Sequence, residues 1–162
     1  MVVVDSSALI PLSWVGRLDL IEAVFDEVHT TLGVREEVLV EGKRGVAALE
    51  AFVGDATVHP TPEEAEAIAE LEGVATTDAA VVMLAEDEDE PLLANDKALI
   101  EVARTHGVDI WWVTTVLLKA TKDGAVTREE ASELLYDLVD EGMNLHPKVY
   151  TKVQREIENL GS

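Results

Sequence analysis

The fold is decided by the first ten residues, Met1-Val2-Val3-Val4-Asp5-Ser6-Ser7-Ala8-Leu9-Ile10. Three consecutive valines predict a short strand, and an apolar run without alternation is typical of a central parallel strand covered on both faces. Asp5 follows this strand directly. Because the carboxyl ends of the strands in an open α/β sheet face the binding crevice, the sequence places this carboxylate where ligands bind.

The rest of the chain alternates between strands and helices. Residues 91–94 form a second apolar run, which ends in Asn95 and Asp96. Shorter strands are predicted at 28–30, 56–59 and 108–113. Helical periodicity fills the intervals, and this alternation indicates a mostly parallel sheet with helices on both sides. The sequence therefore predicts an α/β fold.

Local sequence patterns predict where two helices in the middle of the chain begin. One is expected to begin at Pro62, with Thr61 as its N-cap. Asp78 then opens a very apolar helix at 79–85, which should be buried. The acidic run 86–90 is predicted to be a loop.

The composition limits the class of protein. With 162 residues and 48% hydrophobic content, the chain should bury one core and form a single domain over 1–162. It has no cysteine, which excludes disulfides and thiolate metal sites. No stretch approaches the ~20 apolar residues of a membrane span, and no basic leader precedes an apolar region. We therefore expect a cytoplasmic protein without a membrane anchor.

The charge balance is extreme, with 33 acidic residues against 12 basic ones and a formal net charge of −21. The regular apolar periodicity indicates a folded domain with an acidic surface rather than a disordered chain. At ~1 M ionic strength the Debye length is about 3 Å, which screens such a surface, so we expect a halophilic host. At low salt the same surface should repel RNA and DNA.

The residues that can carry chemistry are the carboxylates Asp5, Glu37, Asp78 and Asp96. Two of them follow strands directly, and the other two lie early in helices that follow other strands, so all can reach one edge of the sheet. Carboxylates held together raise one another's pKa unless a cation is bound. Oxygen ligands of this kind suit Mg²⁺ or Mn²⁺, and a pair of such ions supports displacement at phosphorus.

Each acid also has a structural explanation. Asp78 and Asp96 stand just before apolar helical runs, where an aspartate serves equally well as an N-cap. Glu37 on its own is typical of a solvated helical acid, although its spacing from Val34 turns it toward the core side. Asp5 has the weakest alternative, because an acid that ends a buried strand needs a partner.

Four motifs that contain these acids, in this order, resemble the PIN-domain ribonucleases, the fold of the VapC-type toxins. The motifs are Val2-Val-Val-Asp5-Ser6-Ser7-Ala-Leu, Val34-Arg-Glu-Glu37-Val, Thr77-Asp78-Ala-Ala-Val-Val and Leu92-Leu-Ala-Asn95-Asp96-Lys97-Ala-Leu. The resemblance covers roughly residues 2–115. Additional C-terminal helices distinguish the chain from the compact toxins, with a core of about 1–115 and a helical extension of about 115–160.

The resemblance implies a three-layer α/β/α fold with a parallel sheet of order 3-2-1-4-5. It also implies a Mg²⁺ or Mn²⁺ site built from Asp5, Glu37, Asp78 and Asp96, and single-stranded RNA as the usual substrate. Ser6 and Asn95 fall at the polar positions beside the first and last acids, where they would orient ligands or waters. In such toxins an antitoxin protein commonly lays a peptide into the groove beside the active site.

Other residues are candidates for contacts. Lys43 and Arg44 are a possible RNA contact, and the one-sided set Lys148, Lys152 and Arg155 is another. Lys97 is placed either to contact phosphate or to neutralise the acids. Within the pair Trp111-Trp112, one indole should face the core, which favours packing over base stacking.

The favoured function is a metal-dependent endoribonuclease acting as the toxin of a toxin–antitoxin pair, with a homodimer as a further expectation. One alternative is a catalytically inactive PIN-like module that acts by binding protein partners. A phosphatase that uses Asp-x-Asp after its first strand is disfavoured, because position 7 is serine.

Overall fold

The computed structural model of the chain describes residues 1–160, which form five strands and ten helices. The strands are β1 (Val2–Val4), β2 (Val28–Thr31), β3 (Thr57–His59), β4 (Leu92–Leu93) and β5 (Ile110–Trp111). The helices are α1 (Ser6–Trp14), α2 (Asp19–Val24), α3 (Leu32–Val38), α4 (Val46–Asp55), α5 (Ala65–Glu72), α6 (Thr76–Glu88), α7 (Lys97–Thr105), α8 (Val113–Lys122), α9 (Arg128–Asp140) and α10 (Pro147–Asn159).

The sheet is parallel throughout the described residues, and its strand order is β3-β2-β1-β4-β5, as predicted. β1 is central, with Val2 opposite Val28 on one side and Val4 opposite Leu93 on the other. The chain builds the sheet outward from β1 in one direction and then returns to add β4 and β5 in the other. The topological switch point, where open α/β sheets bind ligands, therefore lies between β1 and β4.

The central strand is covered on both faces. Successive side chains of a strand point to opposite faces, and Val2, Val3 and Val4 are all 0% exposed. One contiguous core joins these valines to apolar residues as distant in the sequence as Leu135 and Ile157. Within residues 1–160, no helix is both long enough and apolar enough to cross a membrane.

Two predicted helix boundaries were wrong. α6 continues through Glu88 instead of ending before an acidic loop, because its acidic residues lie on the exposed side and Asp89 ends the helix in a left-handed conformation with φ 53°. α5 begins at Ala65 rather than Pro62, and no side chain caps it, so the predicted Thr61 cap does not form. Both errors arise where the helix propensity of the local sequence competes with the solvation and packing of its side chains.

An ionic contact ties together helices α5, α6 and α7. The His106 ring, just after α7, lies 2.5 Å from Glu72 through Nε2 and 2.8 Å from Glu86 through Nδ1. The hydrogen bond with Glu72 is the main cause that raises the pKa of His106, and Glu86 adds to it against some desolvation. The contact joins α6, which carries Asp78, to α7, which follows Asp96.

We expect His106→Gln to destabilise the protein in acid and to be nearly neutral in alkali. The folded-state pKa of His106 is raised, so its stabilisation is fully present below the unfolded value of about 6.5 and is lost as the pH rises through the folded value. Urea unfolding of wild type and variant at about pH 6 and about pH 9 measures the difference. An equal gap at both pH values would contradict this account, and Glu101→Gln on the same helix serves as the control.

Candidate active site

Asp5 lies at the switch point, at the end of β1, and is only 3% exposed. Its backbone N–H donates to the Leu93 carbonyl at 3.0 Å, which extends the pairing of β1 with β4 by one residue. The side chain caps α1, because its Oδ2 accepts hydrogen bonds from the Ser7 N–H at 3.1 Å and the Ser7 Oγ at 2.6 Å. Burial and hydrogen bonding therefore fix this carboxylate in one orientation.

Ser7 joins the ends of the two strands. While its Oγ donates to Asp5, it accepts the Asn95 N–H at 2.9 Å. Asn95 is half-buried, and its backbone provides this contact. The sequence prediction assigned the supporting roles to Ser6 and Asn95 and gave none to Ser7. The spacing was the available signal, since an aspartate N-cap accepts the N–H two residues further on.

Glu37 reaches the site from α3. The Ser6 Oγ donates to Glu37 Oε2 at 2.7 Å, so this exposed glutamate is turned toward the end of β1. α3 begins directly after β2, where the Thr31 Oγ1 accepts the Val34 N–H at 3.3 Å.

Gly33 lets α3 approach the start of α6 closely. A Cβ at this glycine would stand 3.0 Å from Thr77 Oγ1 and 3.1 Å from Thr77 Cγ2, tighter than ordinary van der Waals contact. Thr77 precedes Asp78, and Gly33 lies one helical turn before Glu37. The missing side chain at position 33 therefore brings Glu37 and Asp78 together.

Asp78 and Asp96 differ in whether they are the N-cap of the helix that follows. Asp78 is half-buried in the first turn of α6, whose N-cap is Ala75, so Asp78 is not the N-cap, although its carboxylate accepts a hydrogen bond from the Ala75 backbone N–H. Asp96 is the N-cap of α7 and accepts hydrogen bonds from the Ala98 N–H at 2.9 Å and the Leu99 N–H at 3.3 Å. The exposed Asp96 carboxylate thus has a structural role as well as its place at the switch point.

The four acids form one electrostatic unit. Burial raises the pKa of Asp5 to about 6, hydrogen bonds from Ser7 oppose the rise, and the charges of Asp78 and Glu37 add to it. Burial also raises the pKa of Asp78, followed by repulsion from Asp96 and Glu37. Asp78 therefore links the buried carboxylate of Asp5 to the exposed one of Asp96.

The chemistry of this unit fits a hard divalent cation. Its donors are carboxylate oxygens that repel one another, and a bound cation would relieve that repulsion. As the side chains stand, no three acids or histidines within residues 1–160 are close enough to hold a metal ion. The donor types fit a metal, whereas their present spacing does not form a closed ligand cage.

The predicted RNA contact at residues 43 and 44 lies elsewhere. Arg44 forms an ion pair with Glu141 at 2.5 Å, donates to the Glu141 carbonyl at 3.0 Å, and stacks 4.3 Å from the Trp14 ring. Lys43 is exposed in the preceding turn. Arg44 is thus part of the packing between distant segments, and its charge is already paired.

The other predicted basic set does share one surface. Lys148, Lys152 and Arg155 line a shallow cleft of about 500 Å³ on α10. A larger cleft of about 920 Å³ opens beside the acids and is lined in part by Ser7, Asn95, Asp96 and Lys97. Lys97 is exposed at this cleft and does not fill the space between the acids.

The chain is similar to known proteins in two comparisons. The family model described as "DUF3368: PIN domain" matches residues 1–159. Among solved structures, the chain is similar to a PilT N-terminus domain protein, SSO1118, from the hyperthermophilic archaeon Sulfolobus solfataricus P2. The TM-score is 0.47 at 14% identity, and the match covers 90% of this chain and 96% of that chain. No curated protein matches the sequence.

We expect Asp5→Asn to stabilise the metal-free protein at neutral and alkaline pH. The folded pKa of Asp5, about 6, lies above its ordinary value of 3.8, so the native state is favoured while Asp5 is protonated, and this contribution is lost as the pH rises through 6. The gain should reach up to about 3 kcal/mol above that pH and vanish near pH 4. Urea unfolding in EDTA across this range measures it.

Asp109→Asn is the control, because it removes an exposed acid and thus one unit of the same net charge. Its effect should stay within about 0.5 kcal/mol at every pH. If Asp5→Asn changed the free energy of unfolding no more than Asp109→Asn does, burial of the Asp5 carboxylate would not destabilise the protein.

Proposed function

The chain belongs to the PIN-domain family, and from this premise we propose that it is a divalent-metal-dependent endoribonuclease that cleaves single-stranded RNA. PIN domains have a nuclease-type fold, which supports hydrolysis of a phosphodiester bond. One observation carries the proposal most directly. A buried carboxylate with a pKa of about 6, that of Asp5, interacts with Asp78 and Glu37 at the switch point of the sheet, and Asp78 in turn interacts with Asp96.

A purely structural role does not explain that arrangement. Burying a carboxylate without a cationic partner costs free energy, and an apolar residue at the end of β1 would avoid this cost. Unfavourable burial of a charged group is commonly found at functional sites, where the perturbed group is needed. Asp78 strengthens this inference, since it is half-buried beside two like charges.

In the proposed mechanism, Asp5, Glu37, Asp78 and Asp96 would hold Mg²⁺ or Mn²⁺, which when bound lowers the pKa of an attacking water and stabilises the leaving oxygen. Ser7 fixes the Oδ2 atom of Asp5, and Ser6 fixes the Oε2 atom of Glu37. Asp96 is held by the first turn of α7. These hydrogen bonds orient the carboxylates before substrate arrives, which removes part of the entropic cost of assembly.

The cellular role that we propose is the toxin of a VapBC-type toxin–antitoxin pair in the cytoplasm of a halophilic host, with an antitoxin protein and a second copy of the chain as partners. The family supports the nuclease part of this proposal. The net charge of −21 supports the halophilic part, because a molar salt concentration screens the repulsion between this protein and RNA.

A second candidate function is a PIN-like module that binds protein partners without catalysis. The observation that favours it is the spacing of the acids, which within the described part of the chain forms no ready metal site. The two functions differ in whether the acids bind a divalent cation.

We expect Mn²⁺ to bind the wild-type protein in calorimetry, with an affinity that increases as the pH rises through about 6. The cause is competition between the proton and the cation for Asp5, whose pKa is about 6. Asp5→Asn should abolish binding, whereas Asp109→Asn should leave it unchanged. Binding that is equal in both variants would favour the module without catalysis.

We also expect wild-type protein to cleave a labelled single-stranded RNA in ~1 M KCl with Mn²⁺ and to lose activity in EDTA. Asp5→Asn, Asp78→Asn and Glu37→Gln should each lower kcat/KM by about a hundredfold or more, given that even groups that merely orient ligands cost about 10–100-fold. Gel electrophoresis of the products measures the rates.

Glu36→Gln is the matched control for Glu37→Gln, because the two glutamates are adjacent on α3 and only Glu37 is hydrogen-bonded to Ser6. It should retain nearly full activity. Equal activity in wild type and all the acid variants would overturn the endoribonuclease proposal.

A further inference from the structure

The large cleft beside the acids is continuous with the candidate active site. Ser7, Asn95 and Asp96 line the cleft and also belong to the end of the β1–β4 pair. Away from these polar residues its wall is apolar and aromatic, formed chiefly by Ile10, Pro11, Trp14, Trp112, Met143 and Leu145. A strand of nucleic acid with a phosphate at the acids would therefore place a neighbouring base at this wall.

Trp112 is positioned by the sheet itself. It directly follows β5, the strand next to β4, and the Ala94 N–H donates to the Trp111 carbonyl at 3.0 Å. Trp112 and Asn95 therefore stand at the ends of neighbouring strands, on the same edge of the sheet. Trp111 serves a different purpose, because its ring packs edge-on against Phe25 with centroids 4.9 Å apart. Both indoles are half-buried against the core, and they open onto different surfaces: Trp112 lines the large cleft, whereas Trp111 lines a separate cleft of about 420 Å³.

The opposite wall is held rigidly. Arg44 covers one face of Trp14 and binds both the carboxylate and the carbonyl of Glu141. Gly142 follows with φ 124°, and a Cβ there would lie 3.4 Å from the Trp14 ring. The segment after α9 is therefore anchored against α1, and the cleft between Trp14 and Trp112 is preformed.

We propose that this cleft binds an unpaired nucleobase of the RNA strand, next to the phosphate that is cleaved, with Trp112 as the stacking residue. The proposal rests on the proposed function for the position of the scissile phosphate. The volume of about 920 Å³ lies within the ~300–1,000 Å³ of pockets that hold small organic ligands, which suits a nucleoside. Aromatic side chains stack with any base, so the cleft requires an unpaired strand more than a particular sequence.

The charge of the protein also favours a base over an acidic peptide. Asp96 and Lys97 both line the cleft and offset each other's charge, and the net charge of the protein is −21, so an acidic segment gains no net attraction there. Phosphate contacts weaken steeply as salt rises, whereas stacking does not depend on ion pairs. A base in this cleft would supply affinity under the same salt conditions that let RNA approach an acidic surface.

The test follows the indole N–H resonances of the three tryptophans in a ¹H–¹⁵N NMR spectrum. A short single-stranded RNA of roughly eight nucleotides is titrated into the protein in EDTA and ~1 M KCl, so that binding is observed without cleavage. Single Trp→Phe variants assign the three resonances. We expect the Trp112 and Trp14 resonances to shift with added RNA and the Trp111 resonance to stay in place.

Two leucine variants supply the matched comparison. Trp112→Leu should weaken RNA binding roughly tenfold, and Trp111→Leu should leave it unchanged, because stacking on one aromatic ring contributes a factor of this order. Static resonances, equal shifts of all three indoles, or equal weakening in both variants would overturn the base site. The wild-type titration decides the question even if a variant fails to fold.

The result is separable from that of the cleavage assay. Cleavage by wild-type protein together with static indole resonances would retain the nuclease and reject the base site. Moving Trp112 and Trp14 resonances in a protein that cleaves nothing would reject the nuclease and retain a single-strand binding cleft.

Discussion

The burial of the Asp5 carboxylate is the constraint on which the rest of the site depends. β1 can occupy the centre of the sheet only if helices cover both of its faces, and the same helices exclude water from the residue that follows it. A charge there needs compensation, which the structure provides in part through the N-terminus of α1 and two hydrogen bonds from Ser7. The raised pKa of Asp5 shows that this compensation is incomplete.

The acidic surface and the acidic site act in the same direction on a nucleic-acid partner. Both repel phosphate, and the basic residues near the ends of the sheet are few. Arg44 is committed to Glu141 and Trp14, while Lys148, Lys152 and Arg155 lie together on α10. Recognition by such a protein must therefore rely on screening by salt, on a small basic surface and on contacts that carry no charge.

The strand order, the four acids and most helices could be predicted because each depends on a local pattern or on a motif in a fixed order. The prediction overlooked the spacing of an aspartate N-cap, which accepts the N–H two residues further on and so selects Ser7 over Ser6. It also could not distinguish Asp78 from Asp96 as caps, because both precede apolar runs. α6 begins at Thr76, which puts Asp78 in its first turn, whereas α7 begins directly after Asp96. The pairing of Arg44 could not be predicted, because its partner, Glu141, is 97 positions away.

The Arg44–Glu141 contact affects the order in which parts of the chain fold. The cleft has one wall from α1 and another from the segment after α9, and it exists only once these two parts of the chain meet. Contacts between such distant positions form late, because a long loop must close before any favourable interaction repays the lost entropy. While the chain is being synthesised, the four acids, which lie within residues 5–96, can thus be in place before the adjoining cleft, which is complete only when the later helices have docked.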